Sequence, residues 1–231
     1  MKFCLRQISF VLVGLSLFAC AAETQSQSSG SQRQPQQTAQ AAREPREVTV
    51  PASQAQRLQQ VMLPLVQNMD NKLPLNQVKV HVWDDPHINA ANGGGGEFYV
   101  TTGLLQKADD NRLRAILAHE TAHADLGHVA KAQTLGAGLE IGAALLDQLL
   151  PGFGALTPIA GQLIASSYGR SEERQADAHG VVLLRRAGYD GKTMMANALT
   201  WLTQVEGDSG GGFFATHPAT ADRIQAVQNM Q

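Results

Sequence analysis

Three residues, His119, Glu120 and His123, stand in the pattern H-E-x-x-H. An α-helix turns once in about 3.6 residues, so the two histidines lie one turn apart on one face. Two imidazoles placed this way can hold one zinc ion through ring nitrogens at about 2.0–2.1 Å. Glu120 is offset by about 100° around the axis, beside the metal rather than beneath it. From there it can take a proton from a metal-bound water, whose pKa zinc lowers to about 7, and hand it to a leaving amine. The expected chemistry is hydrolysis of a peptide bond with one Zn2+ per chain. A single helical histidine is more often a packed or surface residue, but three specified residues at this spacing point to a metal.

A catalytic zinc needs a third protein ligand and an open fourth position. The extended pattern H-E-x-x-H-x-x-G-x-x-H fails here, because Gly127 and His128 are out of register. His128 is left as a residue that supports the site or the packing. The other route is a carboxylate from a later helix. The run Glu172-Glu173-Arg174-Gln175-Ala176-Asp177 begins one, and Glu173 and Asp177 share a face. Glu173 can complete a His-His-Glu set, while Asp177 can accept the N–H of a ligand histidine and orient it. Glu172 reads as an ordinary solvated helix start.

These residues need elements to hold them. Leu58, Val61, Met62, Leu65, Val66 and Met69 recur at helical spacing, with a kink expected at Pro64. Val78, Val80 and Val82 alternate with polar residues as a half-buried strand does. Residues 89–96, with four glycines, read as a loop opening into a second strand over residues 97–101, ended near Gly103. Phe98, Tyr99 and Val100 there could form an exposed edge that holds an extended substrate by main-chain hydrogen bonds; the competing reading is an interior strand. Asp109, Asp110 and Asn111 suit the start of the H-E-x-x-H helix. Two apolar helical segments are expected within residues 135–167, broken at Pro151-Gly152. Helices are expected over 172–187, 192–206 and 218–230, with a glycine-rich loop at 207–212. The fold class is α+β, one mostly helical domain with a small sheet.

The chain has 231 residues, 43% hydrophobic, and a net charge of −2 with no basic stripe, so nucleic acid is not an expected partner. Lys2, Arg6 and the apolar run ending Leu17-Phe18-Ala19-Cys20 have the layout of a secretory signal, too short to span a bilayer. The run resembles a bacterial lipoprotein signal cut before Cys20, with Ala21 favouring the outer over the inner membrane; an ordinary signal peptide is the alternative. The expected division is a signal peptide over 1–19, a lipidated N-terminus and flexible tether over 20–50, and a zinc metallopeptidase domain over 51–231. The Gln-, Ser- and Ala-rich stretch cannot bury enough apolar surface to offset ordering entropy. The only cysteines are Cys4 and Cys20, so the domain has no disulfide to rely on.

H-E-x-x-H followed by Glu173-x-x-x-Asp177 resembles metallopeptidase family forty-eight, which includes HtpX-like and CAAX prenyl protease enzymes. The resemblance covers roughly residues 53–230 and takes in the Asn89 turn, the run Val100-Thr101-Thr102-Gly103-Leu104-Leu105, and Thr216-His217-Pro218 with Arg223 beyond. It is nearest to small lipoprotein-type members of Gram-negative periplasms. Gln175 stands where the family often has a second Glu, four glycines replace its Pro-Gly-Gly turn, and Gly169 replaces a Ser or Thr.

The resemblance implies a zincin-like domain and places His217 in the active-site cleft, where it either covers the metal at rest or steadies the oxyanion. His217 and Arg223 are the candidates for polarising a tetrahedral intermediate. The implied function is an endopeptidase at the periplasmic face of the outer membrane, anchored through Cys20, that cuts unfolded or misassembled envelope proteins as part of quality control. One alternative is a zinc-bound chaperone-like or binding protein closed by His217. Another makes residues 135–167 a membrane hairpin, but Glu140, Asp147, Pro151 and Pro158 interrupt it.

Overall fold

The computed structural model describes residues 46–136, 168–206, 212–218 and 221–231. The expected signal peptide, most of the tether and the apolar segments expected within 135–167 lie, apart from residues 135 and 136, outside the described residues.

Helix α1, Ala52–Gln67, buries Leu58, Val61, Met62, Leu65 and Val66, the stripe its spacing predicts. Pro64 lies within it, and the helix runs on to Gln67. A three-stranded sheet follows: β1 (Lys79–Trp83), β2 (Ala90–Gly94) and β3 (Glu97–Thr101), in the order β1-β3-β2. β3 pairs parallel with β1 and antiparallel with β2, whose register is irregular between Asn92 and Gly94. Two expectations change here. The glycine-rich stretch is largely a strand, not a loop. β3 is the central strand, so the edge reading of Phe98, Tyr99 and Val100 fails: their backbone groups are taken up by neighbours on both sides, and the Phe98 and Val100 side chains are buried in the core. Among the described residues, the edge strand nearest the site is β2.

Thr101 caps α2 (Thr102–Lys107), its Oγ1 accepting the Leu104 N–H at 3.2 Å. Asp109 does the same for α3 (Asp110–Asp125), accepting the Arg112 N–H at 2.8 Å. Gly127, at φ +68°, turns the chain into α4 (His128–Gly136). Beyond residue 167 come α5 (Arg170–Arg186), α6 (Gly191–Glu206), the single turn α7 (Phe213–Thr216) and α8 (Ala221–Gln228). These match the expected helices to within a few residues, apart from the shorter α8 and the unforeseen α2, α4 and α7.

Helix α3 is the hub, packed against α1, α5, α6 and β2. Leu113, Ala115, Ile116, Leu117 and Ala118 have no more than 2% exposure, so α3 is buried nearly all round, as a core helix must be. At Gly180, α5 lies directly against α3. A Cβ there would meet Met195 Cε at 2.7 Å and the Ala118 backbone at 3.3 Å. At the far end of α3, the carboxylate of Asp125 accepts the backbone N–H groups of Asp70 and Asn71 at 2.8 and 2.6 Å, and His179 Nε2 of α5 lies 2.6 Å from it. The two helices are thereby held in a fixed relation at both levels. Among the described residues, no helix is long and apolar enough to cross a membrane.

Candidate active site

Helix α3 presents His119 and His123 on the side that faces α5. Their Nε2 atoms lie 3.0 Å apart. From α5, Glu173 brings Oε2 to 3.4 Å from His119 Nε2 and Oε1 to 3.4 Å from His123 Nε2. His217, just after α7, adds Nδ1 at 3.3 Å from His119 Nε2 and 3.0 Å from Glu173 Oε1. One ligand atom from each of these four side chains falls within 4.8 Å of the others, and all four side chains are buried.

Three imidazole nitrogens and a carboxylate aimed at one point is a donor set for a cation, in the N and O chemistry that suits zinc. Charge supports the fit. Glu120, Glu173 and Asp177 are buried together with one guanidinium, Arg223, leaving an excess of two negative charges that a divalent cation matches. The residues present therefore fit a metal of this kind.

The electrostatics of the set are consistent. Burial pulls the His119 pKa down, but Glu173 and Asp177 overcome it and lift the value to about 9, so the carboxylates favour positive charge at this spot. Burial holds His123 well below the usual histidine range, which keeps its ring neutral and able to ligate. Burial would raise Glu173, but His217 and His119 hold it far below the usual carboxylate range.

Glu120 is the next residue round the helix and is fully buried. Burial raises its pKa, partly offset by the neighbouring His217 and His119. His217 Nε2 lies 3.2 Å from Glu120 Oε1 without hydrogen-bond alignment. The carboxyl thus stands beside the donor set.

The supporting residues are equally specific. Asp177 Oδ1 lies 2.9 Å from His119 Nδ1, so it orients the ring as its place one turn after Glu173 predicts. Arg223 donates to both oxygens of Asp177, from Nε at 2.8 Å and Nη2 at 2.7 Å, and its Nη1 lies 2.7 Å from Glu173 Oε2. Its fork is committed to these carboxylates. Arg223 braces the ligand and its partner, in place of the polarising role expected for it.

One contributor was not foreseen. Tyr168 stacks on His123 with ring centres 3.8 Å apart, and nothing in the pattern before α5 signals it. His128, out of register for a ligand and expected in a supporting place, sets Nδ1 2.9 Å from His123 Nδ1. Phe98, Tyr99 and Val100 are the predicted site residues that the structure does not bring to the cluster's open side.

The model of Peptidase family M48 matches residues 52–231. The chain belongs to that family. Over 167 residues it is 28% identical to metalloprotease LoiP of Escherichia coli, an alignment covering 70% of this chain and 65% of LoiP. Metalloprotease YcaL of the same organism is 27% identical over 173 residues, covering 70% of this chain and 64% of YcaL. The mitochondrial metalloendopeptidase OMA1 of Schizosaccharomyces pombe is 31% identical over 167 residues, covering 65% of this chain and 45% of OMA1. The chain thus spans less than two thirds of the length of each of these relatives.

Proposed function

We propose that the protein is a zinc-dependent endopeptidase. The observation that carries this reading is the convergence of His119 Nε2, His123 Nε2 and Glu173 beside a buried, proton-favouring Glu120. His119, His123 and Glu173 would hold the zinc. When bound, zinc supplies Lewis acidity and makes a water acidic enough to act as a nucleophile near neutral pH. Glu120 takes the proton released from the nucleophile and delivers it to the departing amine; its raised pKa favours holding that proton in between. Asp177 keeps the His119 ring in place, and Arg223 keeps Asp177 and Glu173 in place. The outer edge of β2, which no strand pairs among the described residues, offers main-chain groups to an extended peptide beside Glu120.

The substrates in this reading are unfolded or misassembled envelope proteins, since pairing through main-chain groups needs an extended chain but little sequence. The lipoprotein-like segment ending at Cys20 supports a periplasmic protein anchored to the outer membrane. Cleavage of casein by the zinc-loaded full chain tests the chemistry. Wild type is expected to cut and Glu120→Gln to lose nearly all activity while retaining zinc. Equal cleavage by both would overturn the assignment of Glu120. For the anchor, Cys20→Ala is expected to release the protein from membranes, and continued association would remove the lipid claim.

A second reading concerns the state of the site. His217 Nδ1 points to the same locus as the other ligands, which supports a resting form in which His217 fills the fourth position. A permanently closed form would be a zinc-bound binding or chaperone-like protein. The Glu120 carboxyl beside the locus favours a peptidase that opens.

A further inference from the structure

The two ligand histidines of α3 are oriented by unlike partners. His119 has a carboxylate on its Nδ1, from Asp177. His123 has another imidazole, with His128 Nδ1 at 2.9 Å from its own Nδ1. Two δ-nitrogens facing each other can share only one proton. A ligating nitrogen must be bare, and His123 turns Nε2 to the cluster, so its neutral ring carries the proton on Nδ1. His128 must then accept at Nδ1 and keep its own proton on Nε2. That is the form suited to a carbonyl, and the Gln175 amide stands beside this ring and favours a proton on it. The amide's orientation agrees: Gln175 Nε2 donates to Ser171 Oγ at 3.1 Å, which leaves its oxygen for the histidine.

We propose that His128 is a positioning residue for the ligand His123, accepting its Nδ1 proton and so fixing its tautomer and ring angle, and that Gln175 in turn orients His128. This rests on the zinc-site reading above. The backbone is built for it. Gly127, at φ +68°, reverses the chain after α3 so that the first residue of α4 lies back on the last turn of the metal-binding helix. Tyr168 stacks against His123, which leaves the angle of the ring in its own plane for His128 to set. The acceptor is neutral, so it directs His123 without adding a further negative charge to a site that already buries three carboxylates.

The test uses the full chain, titrated with Zn2+ against a chelating chromophore. His128→Leu removes the acceptor and is expected to weaken zinc binding about 10–100-fold, in the range seen when outer partners of metal-bound histidines are lost. His128→Gln offers a carbonyl to the same proton and is expected to stay close to wild type. Gln175 is exposed, so Gln175→Leu is expected to fold normally and to weaken zinc binding by a smaller factor. In Co2+-substituted protein, His128→Leu is expected to shift the visible absorption band while His128→Gln leaves it in place. Wild-type affinity in His128→Leu, or equal losses in His128→Leu and His128→Gln, would overturn the proposal. Should neither His128 variant fold, unchanged zinc affinity in Gln175→Leu overturns it. A wild-type chain that takes up no zinc would overturn the metal-site reading itself, and is told apart because it does not depend on any variant.

Discussion

Arg223 grips both oxygens of Asp177, at 2.8 and 2.7 Å, with both side chains almost wholly withdrawn from solvent. A bidentate pair of this kind is strong while intact and costly to split, because the survivor is left as a buried, uncompensated charge. Arg223→Met is therefore expected to lower stability by about 3–5 kcal/mol, measured by urea unfolding. An arginine kept free to polarise substrate would instead show unaltered stability with lost activity.

Glu173 is the only ligand in the set from α5, and it faces both histidines of α3 at 3.4 Å. Glu173→Ala is expected to abolish stoichiometric zinc after dialysis against a weak chelator, read by metal analysis. Zinc retained at one per chain would exclude Glu173 as a ligand.

For His217, the two roles make opposite predictions. Because its Nδ1 lies with the other ligand atoms, His217→Ala is expected to raise casein cleavage several-fold by opening the fourth position, with somewhat weaker zinc binding. A fall in the rate of turnover with zinc affinity unchanged would assign His217 to the oxyanion instead.

Away from the site, His81 lies between two carboxylates, with Glu47 Oε1 at 2.7 Å from Nδ1 and Glu97 Oε2 at 2.6 Å from Nε2. Burial lowers its pKa, but the bonds to Glu47 and Glu97 outweigh it and the net shift is upward from 6.5. The folded state thus binds this proton more tightly than the unfolded state does. The stability it contributes is complete below about 6.5 and fades as pH rises through the higher folded value. Zinc-loaded wild type is expected to lose stability relative to His81→Gln across that window, followed by urea unfolding at a series of pH values. Parallel curves would show that His81 does not link folding to protons.

Much of the site was legible because helices repeat locally. The spacing from His119 to His123, and from Glu173 to Asp177, places each pair on a face whatever the rest of the chain does. Strand β2 was not legible. Ala90-Ala91-Asn92-Gly93-Gly94 has neither alternation nor β-branched residues, and it is a strand only because β3 pairs with it. The same fact moved Phe98, Tyr99 and Val100 from the edge to the centre of the sheet. Tyr168 reaches His123 through tertiary packing, across 45 residues of chain, which no local pattern encodes. Arg223 was found through the family resemblance, but its role depends on which carboxylates its fork meets.

No cysteine follows Cys20, yet the donor set joins two parts of the chain that are far apart in sequence. His123 and Glu173 lie on either side of residues 137–167, on helices in contact at Gly180. A metal held by both would work as a reversible cross-link, doing for α3 and α5 what a disulfide does in small disulfide-bonded domains. A chain nicked once between Gly136 and Tyr168 should then keep its two fragments together in zinc and release them more readily in chelator, so that the ion which equips the site for chemistry also closes the fold around it.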